Sequence, residues 1–338
     1  MVEPLIATLP ARAYHDPDTY ERERHAVFAR QWQLVGFRVG LREPGDFVMS
    51  EFAGWSIVIV VHPDGALRAF HNVCRHRAGP LVVDDAGRCQ SFVCRYHGWS
   101  YDLDGSLRSA REFGADADFD PSTFGLWSLP VDEWRGLVFV NLDADARPLV
   151  DDLGAFFAAA ADLPLEDFTF GRHVEHVVAA NWKTYADNYM EGYHIPLVHP
   201  ALHREVDAKR YRVELGDRFC IHSVPTRRGA VNAGRWLWRY PNLALNVYPE
   251  GMNVERIVPT GARSTRVLYD YFFLDPGAEA TNGEIVRMGN QVLAEDQLIC
   301  EQVQHNLEAG IYGTGRLSPR HENGVAAFQG WIRESLGE

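Results

Sequence analysis

Two pairs of cysteine and histidine lie close together in the first third of the chain. Cys74 and His76 form a C-x-H pair, and Cys94 and His97 form a C-x-x-H pair, with residues 77–93 between them. Each pair follows a short run that is typical of a β-strand and opens a loop. Two such loops pointing together would offer two thiolates and two imidazoles to a metal.

This donor set suits either a tetrahedral zinc ion or a 2Fe–2S cluster in which one iron takes both cysteines and the other takes both histidines. Mixed zinc fingers usually keep their cysteines together and their histidines together. Here each loop carries one of each, which favours the cluster and leaves zinc as the alternative.

The two loops resemble the Rieske motif, including Gly79-Pro80 after the first pair and Gly98-Trp99 after the second. The resemblance implies that the 2Fe–2S ligands are Cys74, His76, Cys94 and His97.

The chain departs from the high-potential Rieske proteins at three positions. Gly79 and Tyr96 stand where those proteins have two bridging cysteines, and Trp99 stands at their sulfur-bonding serine. Fewer donors to the cluster sulfurs predict a reduction potential near the low end of the Rieske range, roughly −150 mV.

A second set of metal-binding residue types lies further along the chain. His194 and His199 are five residues apart, which on an ideal helix leaves them about 140° apart. They can share a metal only if the helix ends or distorts between them, and Pro196 gives a physical reason for that. Two imidazoles and one carboxylate form the facial triad of non-haem iron(II), which leaves positions open for dioxygen.

Residues 181–199 resemble the Rieske oxygenase pattern Asn-Trp-Lys…Glu-Asn-x-x-Glu-x-Tyr-His-x4-His, with Asp187 at the first Glu. The resemblance implies His194 and His199 as iron ligands and Asp296 as the third, with Glu295 as the fallback. It also implies two candidate catalytic residues. Glu191 would be the acid that links a cluster histidine of one subunit to an iron ligand of the next, and Asn188 would approach the iron.

The elements that must position these residues change in character along the chain. Short β-branched runs separated by turns fill residues 35–145, whereas later residues alternate long strands with predicted helices at 181–193 and 284–307. We predict an α+β protein. A helical segment over 1–34 packs on the catalytic domain, an all-β Rieske domain spans 35–145, and a helix-grip-like catalytic domain of antiparallel sheet and helices spans 146–338.

Composition restricts the partners and the location. The net charge of −13 disfavours nucleic acid. No apolar run reaches the roughly 18–20 residues that a membrane span needs, and the N-terminus lacks the basic region of a signal peptide. Five cysteines, an odd number, argue against a disulfide framework. We therefore predict a cytoplasmic protein without a membrane partner.

The resemblance implies the oxygenase component of a Rieske oxygenase, with a 2Fe–2S cluster, a mononuclear iron(II) and an α3 homotrimer. The sequence contains no G-x-G-x-x-G fingerprint, so electrons from NAD(P)H must arrive through a separate reductase or ferredoxin. A stand-alone Rieske electron carrier is the alternative class. A zinc hydrolase built on Glu191 and His194 lacks the His-Glu-x-x-His frame.

Residues 204–240 bear on the substrate because they hold nine basic residues and four acids. A solvated basic face or a ferredoxin-docking patch is the simpler explanation of this excess. The more specific prediction is an anionic substrate, and hence O2-dependent hydroxylation of a small carboxylated aromatic compound. The alternative substrate is a betaine-like quaternary amine. Four aromatic residues could stack on an aromatic ring or cage a trimethylammonium group, namely Trp236, Trp238, Tyr240 and Tyr248.

Overall fold

Strands dominate Ala29–Asp151, one of two units into which the chain divides. The structure is a computed structural model that describes residues 6–116, 118–226 and 234–338. The strands of this unit are β1 Gln33–Phe37, β2 Asp46–Phe52, β3 Trp55–Val61, β4 Leu67–His71, β5 Ala86–Arg88, β6 Phe92–Val93, β7 Ser100–Tyr101, β8 Leu107–Ser109, β9 Ser128–Leu129, β10 Val131–Trp134 and β11 Leu137–Val140.

These strands form three antiparallel sheets in the orders β5-β2-β3-β4-β9, β1-β11-β10 and β6-β7-β8. β3 and β4 form an antiparallel hairpin, whose turn is closed by the Gly65 N–H donating to the His62 carbonyl at 2.8 Å. The apolar core of this unit includes Cys74 and Cys94, whose side chains are buried beside Phe70 and Tyr101.

The other unit combines the chain up to Phe28 with Asp152–Glu338. Its strands are β12 Thr169–Val178, β13 Arg212–Leu215, β14 Phe219–Ser223, β15 Arg235–Arg239, β16 Leu243–Tyr248, β17 Gly251–Gly261 and β18 Ser264–Phe273. They form one antiparallel sheet in the order β12-β18-β17-β16-β15-β14-β13. The helices of the chain are α1 Pro17–Ala26, α2 Leu149–Ala159, α3 Trp182–Tyr189, α4 Ile195–Val198, α5 Pro200–Glu205, α6 Glu279–Glu308 and α7 Asn323–Leu336.

The α+β class is confirmed by this arrangement. In the described residues, no helix combines the length and the apolarity that crossing a membrane would require.

Strand register brings polar residues of the large sheet together on one face. Asn246 of β16 lies opposite Asn253 of β17, and Glu255 of β17 lies opposite Tyr269 of β18. Because side chains two residues apart point to the same side of a strand, Asn253 and Glu255 share a face. All four of these side chains are buried.

The predicted helix over 181–193 is wrong at its C-terminal end, because α3 stops at Tyr189. The carboxylate of Glu191 accepts hydrogen bonds from the backbone N–H groups of Tyr193 and His194, which competes with helical bonding there. Pro196 lies in the first turn of the separate helix α4, so it begins a short helix instead of distorting a long one.

A buried ion pair joins helix α1 to helix α3. The Lys183 ammonium of α3 lies 2.6 Å from the carboxylate of Glu23 in α1, and both side chains are fully buried. The indole N–H of Trp182 donates to the second Glu23 oxygen at 2.8 Å.

We expect Lys183→Met to lower the free energy of unfolding by about 3–5 kcal/mol, because it leaves the Glu23 charge buried without its partner. Urea denaturation followed by circular dichroism measures the change. The double variant Glu23→Gln with Lys183→Met keeps an acceptor for Trp182 and should recover most of the loss. A single variant as stable as the wild type would contradict the ion pair's role.

Candidate metal centres and the adjoining cavity

The two cysteine–histidine loops share one backbone geometry. In each loop, the backbone N–H of the cysteine donates to the carbonyl of the residue five positions later. The backbone N–H of the residue four positions later donates back to the cysteine carbonyl, and all of these distances are 2.8–3.0 Å. The residues four after each cysteine, Ala78 and Gly98, have φ of 57° and 76°. Because the hydrogen bonds are equivalent and the residues with left-handed backbone conformation occupy equivalent positions, both loops turn back in the same way.

The four predicted cluster ligands lie together. The rings of His76 and His97 have centroids 4.6 Å apart, and the thiols of Cys74 and Cys94 are buried. The Nδ1 atom of His76 is buried and has no hydrogen-bond partner among the residues described. A metal would supply that partner, and two inner thiols with two outer imidazoles fit a 2Fe–2S cluster.

Gly79 leaves room at this site. A Cβ atom on Gly79 would lie 2.8 Å from the Cys94 sulfur, so a larger residue at this position of this chain would require the loop to shift.

Tyr101 is a neighbour of the cluster ligands that the sequence analysis missed. Its hydroxyl lies 3.2 Å from the Cys74 sulfur and accepts the Arg75 N–H at 3.0 Å. Because the Arg75 N–H occupies an acceptor site of the hydroxyl, the Tyr101 proton is free to point at the sulfur.

We expect Tyr101→Phe to lower the reduction potential of the cluster. A hydrogen bond to the ligand sulfur stabilises the added electron, and losing about 1–1.5 kcal/mol for one electron equals roughly 40–60 mV. A redox titration followed by EPR measures this shift. An unchanged potential would show that Tyr101 only fills space beside Cys74.

The second predicted metal site is formed by three segments. His194 immediately precedes α4, His199 immediately follows it, and Asp296 lies in α6. The two Nε2 atoms are 3.1 Å apart, and Asp296 Oδ1 lies 3.6 Å from His194 Nε2 and 3.0 Å from His199 Nε2. Within the described part of the chain, these three residues form a group whose ligand atoms are close enough to share one metal ion.

Each histidine is held by a carboxylate on its other ring nitrogen. His194 Nδ1 donates to Glu191 at 2.6 Å, and His199 Nδ1 donates to Glu295 at 2.7 Å. Such bonds fix the tautomer that leaves Nε2 unprotonated for a metal. Glu295, the fallback ligand, therefore contacts a histidine in this structure, while Asp296 faces both Nε2 atoms.

Asn188 contacts the same group of residues. Its side-chain amide donates to Asp296 Oδ1 at 2.6 Å, which fixes the carboxylate's orientation. It therefore reaches the site through Asp296.

A cavity of about 120 Å³ adjoins the two histidines and Asp296. Its walls are rich in aromatic rings, including Trp236 and Tyr248, and within the described residues no lysine or arginine lines it. The two other aromatic candidates lie elsewhere. Trp238 packs on Tyr189 with centroids 5.0 Å apart, and Tyr240 packs against α7.

The described basic residues of 204–240, whose excess favoured a carboxylated substrate, do not line this cavity. Arg235 pairs with Asp162 at 2.8 Å, and Arg239 lies 3.7 Å from Asp152. Arg227 and Arg228 lie outside the described residues. The described part of the cavity therefore provides no cation for a substrate carboxylate.

Comparison with known families matches both halves of the chain. Residues 31–120 match the Rieske [2Fe-2S] domain, and residues 165–233 and 218–338 match the ring hydroxylating alpha subunit (catalytic domain).

Several characterised proteins are similar along most of their length. A chloroplastic choline monooxygenase of Beta vulgaris is 31% identical over 97% of this chain and 77% of its own. The carnitine monooxygenase oxygenase subunit of Escherichia coli K12 is 30% identical over 97% and 93%.

Among solved structures, a quaternary ammonium Rieske monooxygenase in complex with L-carnitine is 29% identical. It superposes with a TM-score of 0.87 over 98% of this chain and 96% of that one. A naphthalene 1,2-dioxygenase from Rhodococcus, at 20% identity and a TM-score of 0.83 over 98% and 95%, shares the fold.

Proposed function

Because this chain belongs to the ring-hydroxylating alpha subunits of the Rieske oxygenases, we propose that it is the oxygenase component of a monooxygenase for a quaternary ammonium compound. Its family cofactors are a Rieske 2Fe–2S cluster and a mononuclear iron, and its electrons come from a partner reductase. One oxygen atom enters the substrate and the other forms water, with two electrons and two protons consumed.

The observation that carries the choice of substrate is the cavity. Aromatic walls and carboxylates suit a substrate with a cationic group, which a carboxylated aromatic compound lacks. The similar proteins that act on choline and carnitine support the same choice. We therefore prefer the quaternary amine to the carboxylated aromatic compound predicted first.

In this proposal Cys74, Cys94, His76 and His97 hold the cluster, and three residues hold iron(II), namely His194, His199 and Asp296. When held by this donor set, iron(II) would supply the chemistry of dioxygen activation. Glu191 and Glu295 keep both imidazoles in the metal-binding tautomer, and Asn188 orients Asp296. The cavity holds the substrate beside the site and limits the access of water.

The resemblance to the family also supports a head-to-tail α3 ring, in which each subunit's cluster serves the iron of its neighbour. The trimer and a cytoplasmic location remain parts of this proposal.

A substrate panel tests the function. The reconstituted oxygenase, a surrogate reductase, NADH and ¹⁸O2 are supplied with choline, L-carnitine, γ-butyrobetaine or benzoate, and products are measured by mass spectrometry. We expect one labelled oxygen in the product of at least one quaternary ammonium compound and none from benzoate. Oxidation of benzoate without oxidation of any quaternary ammonium compound would overturn the proposal.

A further inference from the structure

Glu255 is a buried acid at the cavity that the metal sites do not use. It lies on β17 between Ala244 of β16 and Tyr269 of β18, and only 2% of its surface is exposed. Its side chain lines the cavity together with Asp296 and both histidines.

One half of this carboxyl group lacks a hydrogen-bond partner. Oε2 accepts the Asn246 amide N–H at 3.1 Å, and Asn246 in turn accepts the Tyr189 hydroxyl at 2.6 Å. Oε1 is buried and receives no hydrogen bond from the described residues. Burial raises the pKa of Glu255 to about 8, although the side chains of Asn246 and Tyr185 act in the opposite direction.

A buried carboxyl without a full set of partners is costly unless a ligand completes it. The neighbouring cavity residue Asn253 also has a buried side-chain oxygen without a partner among the described residues. Two buried side-chain oxygens without a donor make this part of the cavity electronegative, and the rings of Tyr185 and Tyr269 line the same space.

A trimethylammonium group matches this environment. It has no N–H to satisfy, it spreads its charge over methyl groups, and it is attracted by carboxylates and aromatic faces.

We propose that Glu255 binds the cationic head group of the substrate, an inference that rests on the proposed function. Glu255 thereby makes the enzyme select a cation over an uncharged molecule of the same shape. It acts as a specificity-determining residue, separate from the iron ligands.

The test measures equilibrium binding by calorimetry. The ligands are whichever of choline, L-carnitine and γ-butyrobetaine the wild type oxidises best, and its analogue with carbon in place of the ammonium nitrogen, which lacks the positive head group. We expect Glu255→Gln to weaken binding of the cation roughly 10–100-fold while the analogue binds as well or better. Glu255→Asp retains the charge and should keep a preference for the cation.

Glu175→Gln is the matched control, because it removes a carboxylate of the same sheet that is paired with Arg266 outside the cavity. It should bind both ligands as the wild type does. Iron content and melting temperature verify that each variant is folded.

Two failures are distinguishable. A wild type that oxidises none of the three quaternary ammonium compounds overturns the proposed function. A wild type that oxidises one of them, with Glu255→Gln binding the cation equally well, overturns only the role of Glu255.

Discussion

Asp296→Ala is expected to reduce turnover to background and to remove the mononuclear iron while the 2Fe–2S cluster remains. Asp296 supplies the carboxylate that faces both Nε2 atoms, so its loss leaves two neutral ligands and no anionic ligand for iron(II). Metal analysis should fall from about three to about two irons per chain, with an unchanged EPR signal of the reduced cluster.

Glu284→Ala provides the control, since this exposed acid lies on the same helix and pairs with Arg287. It should retain three irons per chain. Full iron content in Asp296→Ala would remove Asp296 from the ligand set.

Glu295→Ala, by contrast, should weaken iron binding by only about 10–100-fold, because Glu295 contacts the metal site through His199.

Glu191→Ala is expected to leave both metal centres occupied and to lower turnover by about 100-fold. The Glu191 side chain accepts bonds from the His194 ring and from two backbone N–H groups, so it orients this ligand without facing its Nε2 atom. The family resemblance also gives it the bridging position toward a neighbouring subunit's cluster. Glu191→Gln keeps an acceptor for His194 and should be less impaired.

The decisive measurement is the rate at which the reduced cluster is reoxidised when substrate and dioxygen are added. We expect the rate to fall in the order wild type, Glu191→Gln, Glu191→Ala, with iron content unchanged. Loss of iron in Glu191→Ala beyond the loss seen in Glu295→Ala would instead identify Glu191 as a ligand, because both acids contact the Nδ1 atom of a predicted ligand histidine.

The local patterns of the chain were sufficient for the family, the α+β class and the cofactors. The cluster residues lie within short loops whose spacing is visible in the sequence, and His194 and His199 lie within one short segment. Asp296 is about 100 residues away and was reached through resemblance alone.

Other features depend on long-range packing. β17 is buried on both faces, so its alternation gave no signal that Glu255 faces a cavity. Trp236 and Trp238 point to the same side of β15, but Tyr189 of α3 packs on Trp238 while Trp236 borders the cavity. Local sequence could not predict which ring a distant helix would contact.

The division of the chain into two units also affects the order in which they can fold during synthesis. Ala29–Asp151 is continuous, so it can fold while later residues are still being translated. The catalytic unit needs both ends of the chain, because Glu23 must wait for Lys183 and the histidines must wait for Asp296. The four predicted cluster ligands can therefore come together during translation, whereas the proposed mononuclear iron site is completed only near the end of synthesis.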